Sequence, residues 1–179
     1  MIKYLKKHLL NTYLQLRLKR FKDAQTYNFP QRMRQIRNIL LIVPPGQEYG
    51  EITQSFAASL YQVFNDVKVS LFERQNFRPT DGNWFGLPKD TYLKNFQEEK
   101  FDLIVDLNRQ PDKLCIYLSI LTKADLRLTL SDDNRYENIY NLNFRAKVTD
   151  SLKDRLDNVL NYFKTFQKMA EVSETSDAR

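Results

Sequence analysis

Six residues that could contact a ligand lie in or beside the loops that follow predicted strands. They are Gly46, Gly50, Trp84, Asp106, Asn108 and Arg109. Because the carboxyl ends of parallel strands share one edge of a sheet, we expect these residues, together with Glu48, Tyr49 and Glu51, to surround a crevice at that edge. The glycines have a second explanation, since turns commonly need a residue that tolerates positive φ. The pattern therefore leaves two readings open, a ligand site and ordinary loop structure.

The loop after the first predicted strand lacks a phosphate-binding pattern. Its sequence, PPGQEYGE over residues 44–51, does not match GxGxxG, and GxxxxGK[ST] does not occur in the chain. Pro44 and Pro45 carry no backbone N–H, and two glutamates add negative charge. These residues argue against a nucleotide at this loop, and we expect no cofactor.

Metal-binding and nucleophilic residues are few. The single histidine, His8, excludes a zinc site built on several histidines, and no Ser-His-Asp triad is expected around it. The single cysteine, Cys115, falls in a predicted helix beside Leu114 and near Leu118, which favours a buried apolar thiol over a nucleophile. One cysteine also excludes an internal disulfide, which favours the cytoplasm. We therefore predict neither a metal site nor a nucleophilic catalyst.

The order of apolar segments predicts an α/β domain. Residues 39–43 form a continuous apolar run, which indicates a central strand buried on both faces. Helical and strand patterns then alternate, which implies a parallel sheet. The remaining strands are predicted over residues 67–72, 101–107 and 126–130, with an alternating edge strand over 140–147 and a last helix over about 150–169. The sequence thus predicts a three-layer Rossmann-like domain with a short, mostly parallel sheet over residues 38–170, and a disordered tail over 171–179.

The basic charge of the chain lies in its first 37 residues. That segment has ten Lys or Arg and one acid, 10 − 1 = +9, whereas the rest has 18 bases and 21 acids, 18 − 21 = −3. Apolar residues at helical spacing predict a basic amphipathic helix at the start of this arm, and Pro30 indicates a linker after it. The stripe consists of Ile2, Leu5, Leu9, Tyr13 and Leu16. The predicted partner-binding residues are Lys3, Lys6, Lys7, Arg17, Lys19, Arg20 and Lys22.

Several partners fit such an arm. Basic residues around an apolar face bind anionic membrane surfaces, and they also bind nucleic acid phosphates. The same face could instead dock on its own domain or on a second copy, and the predicted edge strand leaves a homodimer open. No apolar run reaches the roughly 18 residues needed to span a bilayer. The expected location is the cytoplasm, with the inner membrane surface as a further location for the arm.

Residues 39–130 resemble the N-terminal half of heptosyltransferase-like (family nine) glycosyltransferases. The resemblance rests on the strand ILLI at 39–42, Gly50-Glu51, the alternating strand 67–72 and the strand FDLIVDL at 101–107. The resemblance implies that Glu51 is a candidate general base. In that family a second Rossmann-like domain binds the nucleotide sugar, and 179 residues leave no room for one. The chain also resembles a small family of uncharacterised bacterial proteins.

The sequence therefore leaves two functions. The first is a non-catalytic interaction module, a glycosyltransferase-like half-domain whose basic arm binds a polyanion or an assembly partner. The alternative is a small-ligand, sugar-binding or glycosyltransferase-like protein that uses the crevice at the sheet edge. Whether the protein is an enzyme stays open at this point.

Overall fold

Five parallel strands form one sheet in the computed structural model, which describes Leu9, Thr12, Tyr13, Leu16 and residues 28–84, 87–110, 112–133, 139–145 and 150–177. The strands are β1 (Asn38–Val43), β2 (Lys68–Glu73), β3 (Leu103–Asp106), β4 (Leu126–Thr129) and β5 (Leu142–Asn143). Their order is β2-β1-β3-β4-β5, and each adjacent pair is parallel. The prediction of a short parallel sheet is confirmed.

Helices cover both faces of this sheet. They are α1 (Phe29–Arg34), α2 (Tyr49–Val63), α3 (Asp90–Glu98), α4 (Lys113–Leu121) and α5 (Leu152–Asp177). Buried residues of α1, α2 and α5 form one core on one face, whereas α3 and α4 contribute to a second core on the other. The three-layer α/β architecture predicted from the sequence is therefore confirmed.

Strand β1 lies at the centre of both cores. Ile39 and Leu41 pack in the core with α2 and α5, while Leu40 and Ile42 pack in the core with α4. Successive strand side chains point to opposite faces, so a strand covered on both faces needs apolar residues at every position. The continuous apolar run in the sequence has this physical cause.

The segment before β1 is a packed helix, whereas the sequence was interpreted as a linker there. Asn28 caps α1, with its side-chain Oδ1 accepting from Gln31 N over 3.4 Å. Met33 and Ile36 are buried in the core, and the Met33 carbonyl accepts from Gln167 Nε2 of α5 over 3.2 Å. Over residues 29–34 the linker prediction is wrong, because α1 is stabilised by contacts with residues far along the chain. The predicted domain boundary at residue 37 stays a prediction.

Strand β5 is shorter than the predicted edge strand over residues 140–147. The cause is Asn141, whose Oδ1 accepts from Arg127 N over 2.8 Å and whose Nδ2 donates to the Asp125 carbonyl over 2.7 Å. This side chain takes the place of backbone pairing, so that the strand begins only at Leu142. Tyr140, predicted within the strand, precedes it and is buried.

The last helix, α5, continues to Asp177, beyond the end predicted near Met169. Residues 171–177 therefore belong to this helix, whereas the sequence predicted a disordered tail from residue 171. Its buried residues, including Leu156, Val159 and Phe163, pack in the core with α2. None of the helices among the described residues is long and apolar enough to cross a membrane.

Candidate ligand site at the edge of the sheet

A crevice of about 480 Å³ lies at the carboxyl ends of β1 and β3. The strand order reverses between these two neighbouring strands, because the chain passes from β1 to β2 on one side and to β3 and β4 on the other. We call the hollow at this switch point the switch-point crevice. Loops leave such a point in opposite directions, and open α/β proteins bind ligands in the resulting crevice. The crevice is lined by Pro44, Pro45, Tyr49, Arg74, Leu107, Asn108, Arg109, Gln110, Asp112 and Leu152.

One wall of the crevice is apolar and the other is charged. Tyr49 and Leu152 begin α2 and α5, the helices of one sheet face. Arg74 follows β2, and Asp112 caps α4 on the opposite face with its Oδ1 accepting from Leu114 N over 2.7 Å. The two charged residues meet at 3.8 Å between Arg74 Nε and Asp112 Oδ2. The crevice is therefore amphipathic, because its apolar wall comes from helices of one sheet face and its charged wall comes from the segments after β2 and β3.

Tyr49, Asn108 and Arg109 lie in the crevice as the sequence predicts, whereas the other candidates do not line it. Gly46, Gly50, Trp84 and Asp106 are absent from its lining, and the Trp84 side chain is 56% exposed. The predicted grouping is thus only partly assembled. Their functional roles stay a prediction.

Gly46 has a local reason for its position. Its φ is +134°, a region that side-chain-bearing residues rarely adopt, and a Cβ at this position would lie only 2.6 Å from Glu48 Oε2. Glu48 is also the residue that precedes α2. A negative charge at this helix N-terminus disfavours a second anion there, in agreement with the absence of a phosphate-binding pattern.

Glu51, the candidate general base implied by the glycosyltransferase resemblance, lines a different hollow. That hollow, of about 250 Å³, lies between α2 and α5 and also contains Ser55, Lys153 and Asp157. Glu51 is exposed on the first turn of α2. A general base role for Glu51 stays a prediction, and its side chain does not line the switch-point crevice.

Asp106 lies behind the crevice in a buried polar cluster. Its Oδ1 accepts from the backbone N–H of Asn108 over 3.1 Å and from Asn108 Nδ2 over 2.7 Å. The Tyr140 hydroxyl donates to Asp106 Oδ2 over 2.5 Å and lies 3.4 Å from Ser119 Oγ. Because Asn108 lines the crevice, Asp106 orients a crevice residue without lining the crevice itself.

Burial controls protonation in this cluster. Removal from water raises the pKa of Asp106 above its usual value, although the hydrogen bonds from Tyr140 and Asn108 oppose that rise. Burial and the neighbouring Asp106 also raise the pKa of Tyr140. The pKa of Cys115 is raised by burial and by the same carboxyl, so its thiol stays protonated. Within the described residues, no group of three His, Cys, Asp or Glu side chains is placed to hold a metal ion.

The predicted partner-binding residues of the arm lie outside the described residues. They are Lys3, Lys6, Lys7, Arg17, Lys19, Arg20 and Lys22. Of the apolar stripe, Leu9, Tyr13 and Leu16 are described, and their side chains are 41%, 37% and 55% exposed. The Tyr13 ring lies 6.3 Å from the ring of Tyr117 in α4. Leu9 and Leu16 are therefore exposed, whereas Tyr13 contacts the domain at Tyr117.

Arg74 and Asp112 are the charged crevice residues that are not among the predicted site residues. The sequence contains a signal for Arg74, because it immediately follows the strand β2 and so lies at the same sheet edge as Arg109. Their contact across the end of β1 depends on the strand order, which the sequence pattern did not predict.

The sheet order and the crevice define a doubly wound, parallel α/β protein with a switch point between β1 and β3. The chain belongs to the DUF6913 family, a family of unknown function, whose model matches residues 6–166. No curated protein and no solved structure matches the chain. These comparisons do not link it to the heptosyltransferase-like glycosyltransferases, and that resemblance stays a prediction.

Proposed function

We propose that this protein is a non-catalytic interaction module that binds an anionic membrane surface through its N-terminal arm. The observation that carries the proposal is the exposure of Leu9 and Leu16 in the most basic part of the chain. These two residues share the predicted helical stripe. Exposed apolar side chains of this kind are available to an external partner.

The positive charge available to such a partner lies in residues 1–27. Arg32 pairs with Asp125 at 3.0 Å, and the Arg37 guanidinium donates to the carbonyls of Arg34 and Ile36. Arg32 and Arg37 are thus engaged with the folded domain. Residues 1–27 hold seven bases and one acid, 7 − 1 = +6.

The combination of charge and exposed apolar side chains favours lipid over nucleic acid. Nucleic acid phosphates would attract the bases but would leave Leu9 and Leu16 in water. An anionic bilayer attracts the bases and also buries the apolar stripe at the boundary of the acyl chains. An assembly protein with an acidic, apolar groove is the remaining class of partner.

The positions of the acidic candidates support a binding role. Glu51 and Asp106 do not line the crevice, and the Asp106 carboxyl is already bonded to Tyr140 and Asn108. General acid–base catalysis needs a titratable side chain within hydrogen-bonding reach of its substrate. The carboxyl in the crevice lining, that of Asp112, already accepts from Leu114 N and pairs with Arg74. The proposed function is therefore binding to a partner and not catalysis.

The test is co-sedimentation of the full chain with vesicles. We expect binding to vesicles rich in phosphatidylglycerol, weak binding to phosphatidylcholine vesicles, and loss of binding at high salt. Replacing the seven arm bases by Gln should weaken vesicle binding by at least about 100-fold, since each base near an acidic surface contributes about 1 kcal/mol. The control replaces seven exposed lysines of the domain, Lys89, Lys94, Lys100, Lys123, Lys153, Lys164 and Lys168.

The control variant removes the same charge and should keep most of its vesicle binding. Equal loss in both variants would mean that binding follows net charge and not the arm. Replacing Leu9 and Leu16 by Ser should weaken binding to anionic vesicles while sparing any binding to RNA. Tight RNA binding without vesicle binding would overturn the membrane proposal.

A further inference from the structure

The function proposed for the arm does not involve the switch-point crevice, whose lining points to a second binding function. We propose that this crevice binds a small organic anion that carries an apolar ring, such as an aromatic carboxylate. The ring packs against the apolar wall formed by Tyr49 and Leu152, and the anionic group faces Arg74 and Arg109. This site is independent of the function proposed for the arm.

The charge of the lining suits one anionic group. Two arginines and one aspartate line the crevice, 2 − 1 = +1, whereas residues 38–179 together carry −3. Arg74 is held in place by Asp112 at 3.8 Å and by the Phe77 ring, whose centroid lies 5.5 Å from the Arg74 Cζ. A guanidinium fixed on both sides loses little further freedom when a carboxylate pairs with it.

The remaining lining suits a ring. Pro44, Pro45 and Leu107 add apolar surface to that of Tyr49 and Leu152, while Asn108 and Gln110 offer amide groups for orientation. A volume of about 480 Å³ falls within the range of roughly 300–1,000 Å³ that is typical of small-molecule sites. An apolar body with few polar contacts is the kind of ligand that such pockets take.

Ligands with several phosphates fit this crevice poorly. The start of α2, where a phosphate could meet backbone N–H groups, has the Glu48 carboxylate beside Gly46. Pro44 and Pro45 provide no backbone N–H in the same loop. The cationic groups of the lining are thus confined to the loops after β2 and β3, which favours a single anionic group.

The test compares three probes on the full chain, with amide chemical shifts as the readout. Benzoate carries both a ring and a charge, benzamide has the ring without the charge, and acetate has the charge without the ring. We expect benzoate to shift the amide signals of Asn108, Gln110 and Leu152 at concentrations where benzamide and acetate leave them unchanged. The expected dissociation constant for benzoate is at least about tenfold below that of either other probe.

Two matched variants test the role of the cationic wall. Arg109→Gln should weaken benzoate binding at least about fivefold and leave the weak binding of benzamide unchanged. Arg78→Gln, an exposed arginine that does not line the crevice, should leave the affinity for benzoate unchanged. An unperturbed spectrum of the variants in regions away from the crevice establishes that both are folded.

Several results would overturn the proposal. Equal affinities for benzamide and benzoate would mean that the ligand need not be an anion. Chemical-shift changes confined to residues away from the crevice would mean that the probes do not bind in it. No shift with any probe would also reject it. None of these results bears on the arm, because vesicle binding is measured without any of the probes.

Discussion

The Asp106 carboxyl has an environment in the folded protein that differs strongly from its environment in the unfolded chain. It is buried, and its principal contacts are the Tyr140 hydroxyl and the Asn108 amide groups. Burial disfavours its ionised form, so its pKa in the folded protein lies above the usual value of 3.8. The sequence pattern identified Asp106 as polar at a strand end, but it did not predict that Tyr140 would reach it from a segment before β5.

This raised pKa predicts how stability depends on pH. Between an ordinary Asp pKa and the raised one, the unfolded chain loses the proton while the folded protein keeps it, so the free energy of unfolding falls as the pH rises. Asp106→Asn cannot ionise, and its amide N–H can donate toward the Tyr140 oxygen as a protonated carboxyl does. We therefore expect the Tm of this variant, relative to that of the natural chain, to increase from about pH 4 to about pH 8.

The control for this prediction is Asp66→Asn. Asp66 is exposed and has a φ of 53°, a conformation that Asn tolerates well. Its Tm difference from the natural chain should vary little with pH. The prediction fails if the Tm difference for Asp106→Asn is also constant over this range.

At the scale of elements, α1 shows how long-range contacts stabilise a short helix. Six residues are too few for a stable isolated helix, and Pro30 lies in the first turn, where proline is tolerated. The helix packs on α5, with the Phe29 and Phe166 rings 6.1 Å apart and Met33 buried in the core. Local sequence therefore provides the cap and the start, while α5 provides most of the stability.

Truncating Met33 should destabilise the whole domain. Met33→Ala removes a fully buried side chain and leaves a cavity, which typically costs about 2–5 kcal/mol of the free energy of unfolding. The matched control is Met169→Ala on α5, since the Met169 side chain is exposed and its loss should cost less than about 0.5 kcal/mol. Urea denaturation of both variants measures the difference, and similar costs would mean that α1 does not pack as described.

At the scale of the whole molecule, the sheet order brings the crevice together. Placing β1 between β2 and β3 brings Arg74 and Asp112 together across the end of β1, although 37 other residues separate them in the sequence. The same arrangement joins the start of α2 to the start of α5 at the opposite wall. A site assembled in this way depends on the order of the strands in the sheet, and no single sequence motif encodes it.

The core contacts of α1 predict where the chain can be shortened. A chain that begins at residue 28 keeps α1 and should unfold cooperatively in urea. A chain that begins at residue 38 loses Met33 and Ile36 from the core and should lose that cooperative transition. Cooperative unfolding of the shorter chain would instead support a domain boundary at residue 37. Circular dichroism on both chains decides between these outcomes.

The sequence by itself determined the α/β class, the central position of β1 and the buried thiol of Cys115. These features follow from side-chain periodicity and from burial, which are properties of local sequence. Only the tertiary structure decided that α1 belongs to the core, that Asn141 delays β5 and that Asp106 lies beneath the crevice. Each of these depends on a partner far along the chain, namely Gln167, Arg127 and Tyr140. Contacts of this kind leave no periodic signal in either segment, and for that reason the candidate site was only partly predictable.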